Sequence, residues 1–278
     1  MKNKDLTLTE IWIYPVKSLG GIAIQEAEAE MRGLQYDRRW MIVDEQFRFL
    51  SQREIPEMVF IAVELIKKDN QLTGLKFSKT NKSNDDFEVD YIYEIKNNLK
   101  KIEVKIWEDW VEAEIVDDYI NTWLSTFLKV KCQLVYMPEI TKRTVDKNYS
   151  INGDEITSFS DAYPYLIIGQ ESLNFLNSKL EKPITMNRFR PNFVFSGGLA
   201  NEEETWKKFI IDQVQFEGVK NCARCPVPTI EPLTAKKSKE PLATLSSYNF
   251  RNNKVYFGQN LLITKLGKVK VGDKITLL

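Results

Sequence analysis

Residues 219–248 read VKNCARCPVPTIEPLTAKKSKEPLATLSSY and hold two of the chain's three cysteines, Cys222 and Cys225, with Arg224 between them. A thiolate is the strongest soft metal ligand and nucleophile among the side chains, and a neighbouring cation lowers the cost of ionising one. The spacing fits several chemistries. A redox dithiol of the thioredoxin kind opens a helix, whereas Cys225 is followed by Pro226, Val227, Thr229, Ile230 and Pro232, which predict a short extended segment. A structural zinc site takes four Cys or His ligands, and three cysteines with no histidine would have to recruit carboxylates. Two buried apolar cysteines are the remaining possibility, and spacing alone does not separate it from a ligand role.

Working outward, the flanks are β. Downstream, Tyr256, residues 261–263, 269–271 and 275–278 predict the closing strands of a barrel, with Gly258, Gly267 and Gly272 as turns or bulges. Upstream, residues 214–219 lead into the cysteines, and 193–195 and 165–168 read as strands. Residues 202–208 predict a short helix with an acidic cap, and 171–180 a helix with Leu173, Leu176 and Leu180 on one face. The charged, Asn-rich run 137–154 predicts a loop crossing between two domains, 1–130 and 131–278, without a flexible Gly/Ser linker.

The first half reads as a meander of short strands. Ile11 and Ile13 alternate with polar neighbours, as do Ile22, Ile24, Ala27 and Ala29, followed by 40–43, 59–65, 75–77, 89–95, 102–107 and 111–115. A polar turn is expected at 81–86, and the series suggests a barrel or rolled sheet. After Asp117 the period changes: Ile120, Trp123, Leu124, Phe127 and Leu128 predict a helix, before Cys132, Leu134 and Tyr136 alternate again. The fold class expected is mainly β with some helix, α+β.

Composition excludes several function classes. With 278 residues, 43% hydrophobic and 28% charged, the chain is long enough for two fused globular domains. Lys plus Arg and Asp plus Glu are both 39, so no net field recruits nucleic acid, and no run of about 20 apolar residues suggests a membrane span. The polar start MKNKDLTLTE has no apolar or Arg-rich presequence, and three cysteines make no disulfide framework, so a cytoplasmic location is expected. The absence of histidine removes Ser-His-Asp and Cys-His nucleophilic sites, His-ligated haem and HExxH zinc. An enzyme built from this sequence relies on carboxylates, amines, thiols or a borrowed cofactor.

Short motifs recur along the chain: YPVKS at 14–18, DRRW at 37–40, RFRPN at 188–192, NCARC at 221–225, KEPLATLSSY at 239–248, FGQN at 257–260 and VGD at 271–273. In this order they resemble the MOSC family, the molybdenum-cofactor-binding domain named after the C-terminal part of molybdenum cofactor sulfurase, and within it the subgroup of amidoxime-reducing components. The resemblance implies an N-terminal MOSC-associated β-barrel-like domain fused to a C-terminal MOSC β-barrel. It implies a molybdenum cofactor (molybdopterin) held between them, with Cys225 as the protein thiolate on the metal and Cys222 left off it. It also implies cofactor contacts from Lys17, Ser18, Arg38, Arg190, Asn192, Ala223 and Arg224, and from Ala162 and Tyr163 through backbone amides. Asn260, also implied as a cofactor contact, falls where related sequences can carry tyrosine, and Asp161 is a candidate to orient a water or proton. Arg offers a planar fork for phosphate and pterin edges and Lys a point charge. The activity implied is reduction of small N-hydroxylated compounds, amidoximes or N-hydroxylated bases. With no cysteine cluster for an iron–sulfur module in the sequence, a separate donor protein of ferredoxin or cytochrome b5 type is expected. A sulfur carrier using a Cys225 persulfide and a non-catalytic cofactor-binding module are the rival readings.

Overall fold

A computed structural model describes residues 5–80, 90–96 and 99–278. Its centre is a closed seven-stranded barrel in the order Tyr165–Gly169, Phe193–Ser196, Leu6–Ile13, Lys274–Leu277, Lys208–Ile211, Val214–Ala223 and Lys254–Lys265, the last pairing back onto the first. Neighbours are antiparallel except Tyr165–Gly169 with Phe193–Ser196, which run parallel. The barrel therefore takes its third strand from the N-terminus. Leu6–Ile13 pairs with Phe193–Ser196 on one edge and Lys274–Leu277 on the other, so the hydrogen bonding laces together segments from either side of residue 130.

Alternation explains which faces are buried. In Leu6–Ile13 the inward residues are Leu8, Ile11 and Ile13, and the odd step from 8 to 11 is absorbed by a register shift between Leu8 and Glu10. Phe193 and Phe195 point into the barrel beside Phe209 and Phe216, while Val194 points out with Ile168. That outer face is covered by the helix Gln170–Asn177 through Leu173 and Leu176, so both faces of these strands are apolar. Burying each such side chain contributes on the order of 1.5–3 kcal/mol. Gly258 lies inside Lys254–Lys265 with φ +85, and a Cβ there would stand 2.7 Å from Ile168 Cγ1. Only glycine fits that bend without strain.

The chain leaves the barrel at Tyr14 and builds a second lobe before returning at Tyr165. A four-stranded sheet (Trp40–Val43, Gln133–Tyr136, Asp109–Ile115, Lys101–Ile106) and a three-stranded one (Ile61–Lys68, Gln71–Lys79, Tyr91–Glu94) share a core with the helix Asp118–Leu128. The predicted helix starts at its expected cap: the Asp117 carboxylate accepts from the Tyr119 amide at 2.8 Å. The polar turn expected at 81–86 lies outside the described residues, as does Val89.

Two local expectations are corrected. The segment after Cys225 is a 3-10 turn, Val227–Thr229, rather than extended, because Pro226 at φ −64 starts the turn and the Thr229 amide and hydroxyl both donate to its carbonyl at 2.9 and 2.7 Å. The KEPLATLSSY run, for which no element was expected, carries a short helix, Leu242–Ser246. The 137–154 loop also contains a short strand, Arg143–Thr144, paired with Ile156–Thr157.

One carboxyl sits wholly inside this framework. Glu203 is 0% exposed and accepts from the Gly169 amide at 3.1 Å and the Ser172 hydroxyl at 2.9 Å. Burial, only partly opposed by those hydrogen bonds, pushes its pKa from 4.5 up to about 7. Between those values the folded chain keeps a proton that the unfolded chain has released. Stability therefore falls as pH rises through this window and is level above it, by about 3 kcal/mol in all. Melting curves from pH 5 to 8 are expected to show this slope, and Glu203→Gln to flatten it; an unchanged slope in the variant would assign it elsewhere.

Candidate functional site

A cleft opens where the barrel rim meets the second lobe, and most of its wall comes from five separated segments. The first is the turn after Leu6–Ile13. It places Lys17 with its backbone amide on the Trp40 carbonyl (2.8 Å), and Ser18 in a left-handed conformation (φ +68). Lys17 is 6% exposed; its ammonium donates to the Phe159 carbonyl at 3.0 Å and to the Asp161 carboxylate at 2.6 Å. Burial lowers its pKa and Asp161 opposes that. Desolvation would raise the Asp161 carboxyl, which remains partly open to solvent, but Lys17, then Arg53 and Arg38, outweigh this and hold it well below the usual carboxylate range.

The second and third segments carry Arg38 and Arg190, whose guanidinium carbons each lie 4.2 Å from the centroid of the Tyr14 ring. Buried Asp37 fixes Arg38 at 2.6 Å and accepts from the Tyr14 amide at 2.7 Å. Arg38 also donates to the Arg190 carbonyl at 3.1 Å. Arg190 donates to the Leu19 carbonyl at 2.7 Å, while its Nη2 is buried with no partner. Burial first, with Arg38 adding to it and Tyr14 opposing, pulls Arg190 down to about 10, so it stays charged at neutral pH. Asn192 is 1% exposed and spends its amide on the Trp12 carbonyl (3.2 Å), the Leu166 amide (3.2 Å) and Arg38 (3.4 Å). Its side-chain oxygen accepts from Arg38, and the residue also lines the cleft.

The fourth segment is the 158–163 loop carrying Asp161, Ala162 and Tyr163, whose buried hydroxyl has no partner. The fifth is the end of the Val214–Ala223 strand with Arg224 and Cys225. Arg224 is anchored through its amide to the Val255 carbonyl (2.8 Å), and its guanidinium donates to the Phe189 carbonyl (2.8 Å) and the Cys222 sulfur (3.1 Å), leaving Nε buried and unpartnered. Burial pushes the Cys222 thiol up against the pull of Arg224, which keeps it protonated. Cys225 is half-buried, as is Asn260 on the Lys254–Lys265 strand opposite.

Every residue singled out by sequence lines this one cleft: Lys17, Ser18, Arg38, Ala162, Tyr163, Arg190, Asn192, Ala223, Arg224, Cys225 and Asn260. Sequence reasoning missed two contributors. Arg53, on the rim, stacks 4.4 Å over Trp107 and comes from a stretch with no motif. Arg143, 5% exposed, holds the 158–161 loop by donating to the carbonyls of Ser158 (3.2 Å), Ser160 (2.6 Å) and Asp161 (2.9 Å). Its only sequence signal was an arginine in a charged loop. Among the described residues no helix is long and apolar enough to cross a membrane.

A partly exposed thiol and five basic side chains line one cleft between a closed barrel and a second β lobe, and three of the lining residues, Tyr163, Arg190 and Arg224, carry buried donors without partners; together they define a two-lobed β protein with an anion-accepting thiol site. Residues 5–131 match the MOSC N-terminal beta barrel domain and residues 154–276 the MOSC domain. The chain is 32% identical over 290 residues to mitochondrial amidoxime-reducing component 1 of Mus musculus, spanning 98% of this chain and 82% of that protein. It is 28% identical over 300 residues to mitochondrial amidoxime reducing component 2 of Bos taurus, spanning 97% and 82%. Against molybdenum cofactor sulfurase of Oryza sativa subsp. japonica it is 30% identical over 271 residues, 91% of this chain and 32% of that one. The chain belongs to the MOSC family.

Proposed function

We propose that this chain is a molybdenum-cofactor oxidoreductase that reduces N-hydroxylated compounds, amidoximes or N-hydroxylated bases, with electrons from a separate protein. The observation that carries the reading is the convergence of Cys225, Lys17, Arg38, Arg190 and Arg224 on one cleft. The cleft also fits the group chemically. The unpartnered Nη2 of Arg190 and Nε of Arg224 are donors waiting for anionic oxygen, and the Cys225 thiol is the soft ligand that molybdenum takes. When bound, the cofactor supplies the two-electron chemistry.

The remaining work falls to the chain. Cys225 would hold the metal at the rim, and Lys17 with the arginines would neutralise the phosphate tail. Asp161 is held ionised by Lys17, so it accepts a hydrogen bond from a substrate N–OH or a water and does not donate one. Three cysteines and no histidine leave the 278 residues without ligands for a four-thiolate iron–sulfur cluster or a His-ligated haem, which supports an external electron donor.

The test is turnover of benzamidoxime by protein purified from a host that makes the cofactor. A reduced pyridine nucleotide alone is expected to give no benzamidine, and addition of a ferredoxin or cytochrome b5 system to restore it. Molybdenum-free protein with a readily alkylated Cys225 would favour a sulfur carrier instead.

A further inference from the structure

The chain that follows Cys225 comes back to the cleft carrying positive charge that the site itself does not use. From Thr229 to Ser238 it doubles back as a narrow hairpin: the Ser238 amide donates to the Thr229 carbonyl at 3.0 Å and the Glu231 amide to the Lys236 carbonyl at 2.9 Å. Ala235, left-handed at φ +56, closes the tip with its amide on the Glu231 carbonyl at 2.8 Å. The return arm is fastened to the cleft rim, because the Lys237 ammonium donates at 2.8 Å to the carbonyl of Arg53, a residue that lines the cleft. Its place beside the opening is therefore set by the fold.

The charges of this hairpin are sorted by direction. Lys236, Lys237 and Lys239 are exposed and make no ion pair among the described residues. The acids of the same stretch are spent within the chain: Glu231 accepts from Arg188 at 3.3 Å and Glu240 from the Thr244 amide at 3.1 Å. Glu54, next to Arg53, is turned back onto the amide and hydroxyl of Ser51 at 3.0 and 3.1 Å. Leu233, at the tip, is an apolar side chain left 84% exposed. None of the three lysines lines the cleft, so a small anion is not enclosed by them, whereas an acidic protein face engages several at once. An uncovered apolar side chain beside unpaired charges has the make-up of a protein contact, apolar at the centre and charged at the rim. In a chain of net charge zero, such a patch is a local field that steers an acidic surface toward the adjacent opening.

We infer that the lysine hairpin is the docking surface for the electron-donor protein, which meets Lys236, Lys237 and Lys239 with an acidic face and sits over the mouth of the cleft. The inference rests on the oxidoreductase reading above, and two measurements on the full chain, purified from a host that makes the cofactor, keep the two apart. The first is calorimetry with two acidic carriers as probes, a plant-type ferredoxin and the soluble domain of cytochrome b5, and basic cytochrome c as comparator. At least one acidic carrier is expected to bind, more weakly as salt rises from about 0.05 to 0.3 M, and cytochrome c not to bind. Lys236→Glu with Lys239→Glu, which leaves the Lys237 bond to Arg53 in place, is expected to weaken binding about ten-fold, and arginine at both positions to keep it. The second is reduction of benzamidoxime to benzamidine and water, which takes two electrons and two protons, with the electrons supplied by the bound carrier or by reduced methyl viologen. The double Glu variant should lose about ten-fold with sub-saturating carrier and nothing with methyl viologen. Carrier binding or carrier-driven turnover unchanged in that variant, neither acidic carrier binding, or cytochrome c binding as tightly would overturn the docking surface alone. So would phosphatidylserine vesicles that bind through the same two lysines while neither carrier does, which would assign the patch to a membrane. No turnover with methyl viologen would overturn the oxidoreductase reading, and the docking surface with it.

Discussion

Cys225→Ser is expected to leave a folded protein that no longer retains molybdenum. The residue is half-buried at the end of a strand and packs in none of the core clusters, so the change in stability should stay within about 0.5 kcal/mol. The hydroxyl replaces a soft, ionisable ligand with a hard, neutral one, and the loss should exceed the roughly 10–100-fold that substitutions behind a ligand produce. Turnover of benzamidoxime is expected to fall by more than about 100-fold along with the metal. Elemental analysis and a melting curve on the same preparation read both halves of the expectation. A Ser variant that keeps its molybdenum would reject Cys225 as the ligand, and one that melts far below the parent would show that the thiol is structural.

Arg190→Met has the second largest expected effect. The guanidinium is buried against Tyr14, stays charged, and has an Nη2 donor free of any partner in the chain. A charge-assisted hydrogen bond to an anion contributes about 1.5–3 kcal/mol, so cofactor retention on gel filtration should weaken about ten- to hundred-fold. Loss of its bond to the Leu19 carbonyl should cost about 1 kcal/mol of stability as well. Arg190→Lys separates the two: it restores charge without the planar fork, and retention should recover only in part. Full molybdenum content in the Met variant would show that Arg190 serves the fold alone, through its contact with Tyr14.

Much of this site was readable only because its residues sit in short motifs that together resemble the MOSC family; taken singly, the thiol beside an arginine and each lysine or arginine fit blander readings as well. The helix Asp118–Leu128 was legible from local chemistry, since an aspartate cap and a 3.6-residue apolar period are written in consecutive positions. What escaped depends on long-range contact. Nothing in Leu6–Ile13 says that it will pair with strands more than 180 residues away. Arg143 looked like a solvated charge because the carbonyls it binds belong to a loop 15 to 18 positions further on. Arg53 joined the cleft only once Trp107, from a different hairpin, came beneath it. The turn at Val227–Thr229 was misjudged because β-branched residues suggest a strand until the two prolines flanking Val227 are weighed. Asn192, expected as a cofactor contact, lines the cleft and also accepts from Arg38, a second role its motif did not announce.

The account rests on a metal gripped by one sulfur in a cleft whose cations neutralise an anionic pterin. X-ray absorption at the molybdenum edge, on wild-type protein expressed where the cofactor is made, reads that arrangement directly. The predicted spectrum shows stoichiometric molybdenum with one more sulfur neighbour than the pterin dithiolene supplies, the extra scatterer vanishing with Cys225→Ser. A protein that carries no molybdenum, or one whose metal has only the two dithiolene sulfurs, would contradict it.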